Sequence, residues 1–169
     1  MGSAHAPGSE VINVEVPGGA LAVEVISAGT EPVLAIHGIS SQRRLWNWLR
    51  AAAPDLSLVA PDLRGRGDSV GVQGPSSIGR HAADIFFGPP KWQQLQVPTR
   101  LLTVEWSVGA GSAPAYPAEA VRAFRDGLEA LVTVQPVAGV DHPGSIMSPA
   151  GARASAALIM AALTVTARS

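Results

Sequence analysis

The sequence contains no cysteine, which excludes disulfides, thiolate nucleophiles and cysteine-bound metals. Packing and hydrogen bonds alone must hold the fold. Charge is scarce as well: Asp, Glu, Lys and Arg make up 15% of the chain, against roughly 25% in an ordinary globular protein. With a formal net charge of -1, there is no electrostatic footprint for a nucleic acid or an anionic membrane surface. Aromatic residues are 5% of the total, so a core of Ala, Val, Leu and Ile is expected. No apolar run is long. The longest, Ala156 to Val165, is about half of the roughly 20 residues that span a bilayer. The first nine residues have neither a basic region nor an apolar stretch, unlike a secretory signal. A soluble, cytoplasmic protein with no membrane partner is expected. What the sequence does have is 47% hydrophobic residues over 169 positions, 18 Gly and 14 Pro. This suits a single domain over residues 1–169 with many turns and a disordered lead at 1–10.

The apolar pattern alternates between two periods. Val11 to Val16 and Leu21 to Ile26 alternate apolar and polar residues around Pro17-Gly18-Gly19, the pattern of an antiparallel hairpin with one wet face at a sheet edge. Pro32 to Ile36 and Ser57 to Pro61 are continuous apolar runs, as strands buried on both faces require. Between them Leu45, Trp48, Leu49 and Ala52 recur at helical spacing. One Trp of this helix should be inward and the other exposed. Ser76 or Ser77 caps a short helix through His81 to Ile85, and Phe86 to Pro90 is a turn-rich junction. Further strands fall at Thr99 to Val104 and Val132 to Val137. Between these, Pro117 opens a helix with Val121, Phe124, Leu128 and Leu131 on one face. Ser148 and Pro149 begin a last helix with Ala154, Leu158 and Ala161 inward. The order is that of an α/β fold, a three-layer α/β/α sandwich with a mainly parallel sheet.

Strand-His37-Gly38, then helix, then strand-Pro61-Asp62-Leu-Arg64-Gly65-Arg-Gly67-Asp-Ser69, then strand-Glu105 and strand-Asp141-His142, resembles the α/β-hydrolase superfamily from about Val11 to Leu163. The loop from Asp62 to Ser69 is the most specific part. The resemblance implies a cofactor-free hydrolase of small carboxylic esters or lactones. It needs a nucleophile on a Gly-x-Ser-x-Gly elbow, then an acid, then a His. That elbow is absent. Gly74-Pro-Ser-Ser-Ile-Gly79 has one residue too many and no strand before it. Ile85 joins directly to a segment resembling the family's stretch after the cap, so the elbow strand, its helix, the next strand and the cap are missing. The chain reads as a truncated member, with a junction or missing segment near 85–87. Deleting the elbow strand should leave two half-sheets with unpaired edges. The halves then re-pair, a second chain fills the gap as in a homodimer, or the sequence is part of a longer chain.

The resemblance implies His142 as general base, Glu105 as the carboxylate that orients it, and His37, Gly38 and Ile39 as the oxyanion turn, with the Ile39 N–H as donor. Asp62, Arg64, Gly65 and Gly67 read as loop-shaping residues. The four His lack i, i+4 pairing and an adjacent carboxylate cluster, so no metal site is expected. The partner is then a small acyl substrate. The rival reading is a non-catalytic remnant that binds a small apolar ligand or pairs with another chain through its open sheet edge.

Overall fold

The computed structural model describes residues 8–38, 40–86, 99–114, 117–126 and 130–166. The chain falls into two compact units, residues 1–90 and 91–169.

The first unit is built on a four-stranded sheet of order β1-β2-β4-β3. β1 (Gly8–Val16) and β2 (Gly19–Ser27) are the expected hairpin at the sheet edge, paired from Gly8↔Ser27 to Val16↔Gly19. At the turn Gly18 has φ +97, and a Cβ there would lie 2.3 Å from the Gln73 carbonyl oxygen. Only glycine fits that backbone. The hairpin differs from expectation in its outer strand. β1 is exposed along nearly its whole length, with Val11, Ile12 and Val14 all open to solvent, whereas β2 buries Leu21, Ala22, Val23 and Ile26. The outermost strand thus has two wet faces rather than one.

β4 (Leu58–Pro61) lies antiparallel to β2 and parallel to β3 (Val33–Leu34). The expected five-residue strand from Pro32 shrinks to a two-residue ladder, flanked by the bonds Val33 N–H to Ser57 O and Ala35 N–H to Val59 O at 2.9 Å. From there the chain runs extended into the His37 turn, whose side-chain bonds replace the ladder. A 3₁₀ turn over Arg43–Trp46 leads into α1 (Asn47–Ala52). Trp48 is exposed and Trp46 half-buried. Leu21, Ile26, Leu49, Leu56 and Leu58 are at most 2% exposed. Each contributes about 1.5–3 kcal/mol by leaving water. α2 (Ile78–Phe86) closes the described part of this unit.

The second unit holds a two-stranded parallel sheet, β5 (Thr99–Trp106) beside β6 (Val132–Asp141). Among the described residues the strands thus form two separate sheets. α3 (Ala118–Arg125) lies between the two strands in sequence. It ends well before Leu131, because Asp126 leaves helical geometry at ψ 119 while its N–H still bonds Arg122 O. Leu128 lies outside the described residues. Leu131 precedes β6 and accepts the Thr99 N–H at 2.7 Å. β6 outruns its expected end at Val137 because its register slips. Val104 faces Val137 but Trp106 faces Asp141, and Gly139 sits in the left-handed region at φ +70. This is a bulge on β6, and bulges re-aim the residues beyond them.

α4 (Gly144–Met147) and α5 (Pro149–Thr166) complete the described chain. Ser148 caps α5 as expected, its Oγ accepting the Gly151 N–H at 3.1 Å. The inward face, however, is Gly151, Ala152, Ser155 and Ala156, with Ala154 and Leu158 only half-buried. The helix is rotated because Gly151 lies against α4, where an added Cβ would be 2.0 Å from the Gly144 carbonyl oxygen. Small residues permit that approach and so choose the face. No helix among the described residues is long and apolar enough to cross a membrane.

Candidate active site

In the first unit, the loops after β3 and β4 are held by one imidazole. His37 is 3% exposed. Its Nε2 accepts the Leu63 N–H at 3.0 Å, which leaves the ring proton on Nδ1 to be donated to the Gly38 carbonyl at 2.7 Å. Both nitrogens are engaged, so this ring shapes the turn. Among the described residues nothing lies within 4 Å of where a Gly38 Cβ would stand. Ile39 lies outside the described residues.

The loop from Asp62 to Ser69 is fixed from within. Asp62 is fully buried and accepts the Arg43 N–H at 2.7 Å, the Asp68 N–H at 2.9 Å and the Arg43 guanidinium. Burial opposes the charge on Arg43, but its hydrogen bond to Asp68 and the field of Asp62 more than offset this and hold its pKa above the ordinary arginine value. The same hydrogen bond keeps Asp68 below the usual carboxylate range. Arg64, 1% exposed, grips Asp84 with Nε and Nη2 at 2.9 Å each, and also donates to the Pro17 and Gln73 carbonyls. It thereby ties the loop to the β1–β2 turn and to α2. Ser69 Oγ accepts the Ala22 N–H at 2.9 Å. Asp62, Arg64 and Ser69 all find their partners inside this lattice, and its work is structural.

Arg43 and Asp84, which complete these pairs, escape a sequence reading. They lie 19 and 22 positions from Asp62, and nothing in their local sequence singles them out.

In the second unit the parallel pairing brings two expected residues to one end of the sheet. Glu105 lies next to the end of β5 and His142 directly follows β6. The His142 N–H donates to Trp106 O at 2.9 Å and Ser107 O at 3.1 Å, which pins its backbone to the strand end that carries Glu105. Glu105 Oε2 accepts the Gly139 N–H at 2.8 Å across the bulge. Asp141 turns from His142 toward backbone: Oδ2 accepts the Gly109 N–H at 2.7 Å and Oδ1 the Gly144 N–H at 2.8 Å. The Gly109 bond, then the Gly144 bond, hold its carboxyl below the usual range. The spacing Asp141-x-x-Gly144 was the available signal for this latch. A cavity of about 150 Å³ opens at this end of the sheet, with Trp106, Gly139, Val140, Asp141, Gly144 and Ser148 in its wall.

His37 and Gly38 therefore belong to one unit, and Glu105 and His142 to the other. Among the described residues no group of three His, Asp or Glu is placed to hold a metal.

No protein-family model and no curated protein matches the chain. Solved structures do. One, from Thermoplasma acidophilum, described as a predicted CIB-like hydrolase, superposes with a TM-score of 0.62 at 12% identity, covering 90% of this chain and 98% of the other. A thioesterase domain from the curacin biosynthetic pathway gives 0.58 at 14% identity, over 90% and 99% of the two chains. An alpha-beta serine hydrolase homologue from Coxiella burnetii gives 0.58 at 16% identity, over 91% and 97%.

Proposed function

From the α/β-hydrolase fold to which this chain belongs, we propose a hydrolase-like protein that acts on a small carboxylic ester or lactone. Within the second unit His142 is the general base and Glu105 the carboxylate that orients it; the oxyanion role that the resemblance implies for the turn His37-Gly38-Ile39 belongs to the first unit. One observation carries the reading: the parallel register of β5 and β6 sets Glu105 and His142 at the same end of neighbouring strands, in the acid-then-His order that the mechanism uses. The nucleophile of this mechanism is not identified in the sequence; the base takes its proton, returns it to the leaving alcohol as the acyl–oxygen bond breaks, and then activates the water that releases the acid. No cofactor takes part. The test is hydrolysis of an activated ester by the full chain and by His142→Ala. A fall in the rate is expected, and an unchanged rate overturns the role.

A second reading rests on the absent elbow and the two separate sheets. The chain is then a non-catalytic remnant that binds a small apolar ligand or pairs with a second copy through an open edge. A dimer by sedimentation together with an inert His142 supports it.

A further inference from the structure

We propose that Ser76 and His81 form a second, self-contained nucleophile–base pair in the first unit, able to take an acyl group from an activated ester. The pair is separate from the His142 mechanism and uses neither Glu105 nor His142. Three observations carry it. Ser76 Oγ lies 3.1 Å from His81 Nε2, within the reach that a serine needs to pass its proton to a base. Ser76 is exposed while His81 is 6% exposed, so the hydroxyl faces substrate and the imidazole is shielded. Lastly, His81 Nδ1 is buried with no hydrogen-bond partner among the described residues. An orphan of that kind calls for an explanation in a native structure, and a catalytic role is one.

The local sequence positions the pair. Ser77 receives the first turn of α2: its Oγ accepts the Arg80 N–H at 3.2 Å and its carbonyl the His81 N–H at 2.9 Å. This fixes the segment that carries Ser76 against the first turn of the helix that carries His81. Burial, the largest influence, holds the imidazole below the usual histidine range. Asp84 opposes that shift, whereas Arg66, His37 and Arg64 reinforce it. The ring is neutral at pH 7 and able to accept a proton at Nε2. Asp84 does not serve as a third member, because Arg64 holds both of its oxygens.

In the step itself, Ser76 Oγ bonds to the ester carbonyl carbon as its proton moves to His81 Nε2. The bond from that carbon to the leaving oxygen then breaks, and the imidazolium returns the proton to the departing phenol or alcohol. Water, activated by the same nitrogen, releases the carboxylic acid and restores Ser76.

The experiment labels the full chain with a fluorophosphonate and maps the adduct by peptide mass. Modification of Ser76 is expected, abolished in Ser76→Ala and slowed at least about a hundredfold in His81→Gln. No adduct at Ser76, or an adduct that forms as fast in His81→Gln as in the natural chain, overturns the proposal. A thiol version guards against a variant that fails to fold. The natural chain has no cysteine, so Ser76→Cys carries a unique thiol. Its alkylation by iodoacetamide at pH 7 should exceed that of Ser9→Cys about tenfold or more, and should lose this advantage when His81→Gln is added. Equal rates would refute the pairing.

Discussion

Replacing Asp62 by Asn keeps the shape of the most enclosed carboxylate and removes only its charge. The consequence can be worked from its partners. Arg43, with 6% of its side chain exposed, would keep only Asp68, whose carboxylate is 52% exposed. Breaking a buried ion pair from one side costs about 3–5 kcal/mol. The amide nitrogen of Asn would also face donors where Asp62 now accepts from the N–H groups of Arg43 and Asp68. Because these losses share one site they do not add, and about 3–5 kcal/mol in total is expected. Domains of this size are stable by about 5–15 kcal/mol, so a fifth or more of the stability is at stake. Urea unfolding, followed by tryptophan emission with Trp92 and Trp106 replaced by Phe, reports the first unit. At a slope of about 2 kcal/mol per molar, the midpoint should fall by about 2 M. The double variant Arg43→Met with Asp62→Leu should recover most of that loss, since an apolar pair of similar volume substitutes well for a buried ion pair. A midpoint shift below about 0.5 M in Asp62→Asn would show that the lattice does not hold this loop.

Gly67→Ala should destabilise the same unit by about 2–4 kcal/mol in the same assay, because its φ of +47 disfavours a side chain and the new Cβ would lie 2.2 Å from the Asp62 carboxylate. Gly151→Ala, which on an open helix would stabilise by up to about 1 kcal/mol, should instead lower the thermal midpoint of the second unit, since its Cβ would collide with the Gly144 carbonyl. A raised midpoint would mean that α4 and α5 are not so closely packed. The Asp141 latch sets a pH dependence. Its folded pKa is depressed, so its stabilising effect is complete above the ordinary carboxylate value of about 4 and is lost as pH falls through the lower, folded value. Hydrogen exchange at the Gly109 and Gly144 amides should rise through that window relative to the base-catalysed trend, and Asp141→Asn should abolish the inflection.

Much of the architecture was legible because it rests on local chemistry. The alternation of Val11 to Ile26 gives a hairpin in any setting, and Ser148 before Pro149 gives a helix start. What escaped depends on contacts distant in sequence. The helical spacing after Pro117 ran on to Leu131 in pattern, but the chain breaks out at Asp126 to reach β6. The period of α5 suggested Ala154 and Leu158 inward, yet the collision at Gly151 decides the rotation, and a hydrophobic pattern cannot register the size of a gap. The candidate site divides in the same way. Glu105 and His142 were legible from strand ends and chain order. The Ser76–His81 contact was not: the sequence offered Ser76 only as a helix cap, and burial of the His81 ring comes from packing alone.

His37 has a consequence of a mechanical kind. With one ring nitrogen on the Leu63 amide and the other on the Gly38 carbonyl, the imidazole is a rigid strut of fixed length between the exits of two neighbouring strands. A displacement of the loop after β4 is transmitted across the ring to the turn after β3. The arginine–aspartate lattice therefore sets the position of Gly38 as well as its own loop. A variant at Asp62 or Arg64 that still folds would be felt at the His37-Gly38 turn.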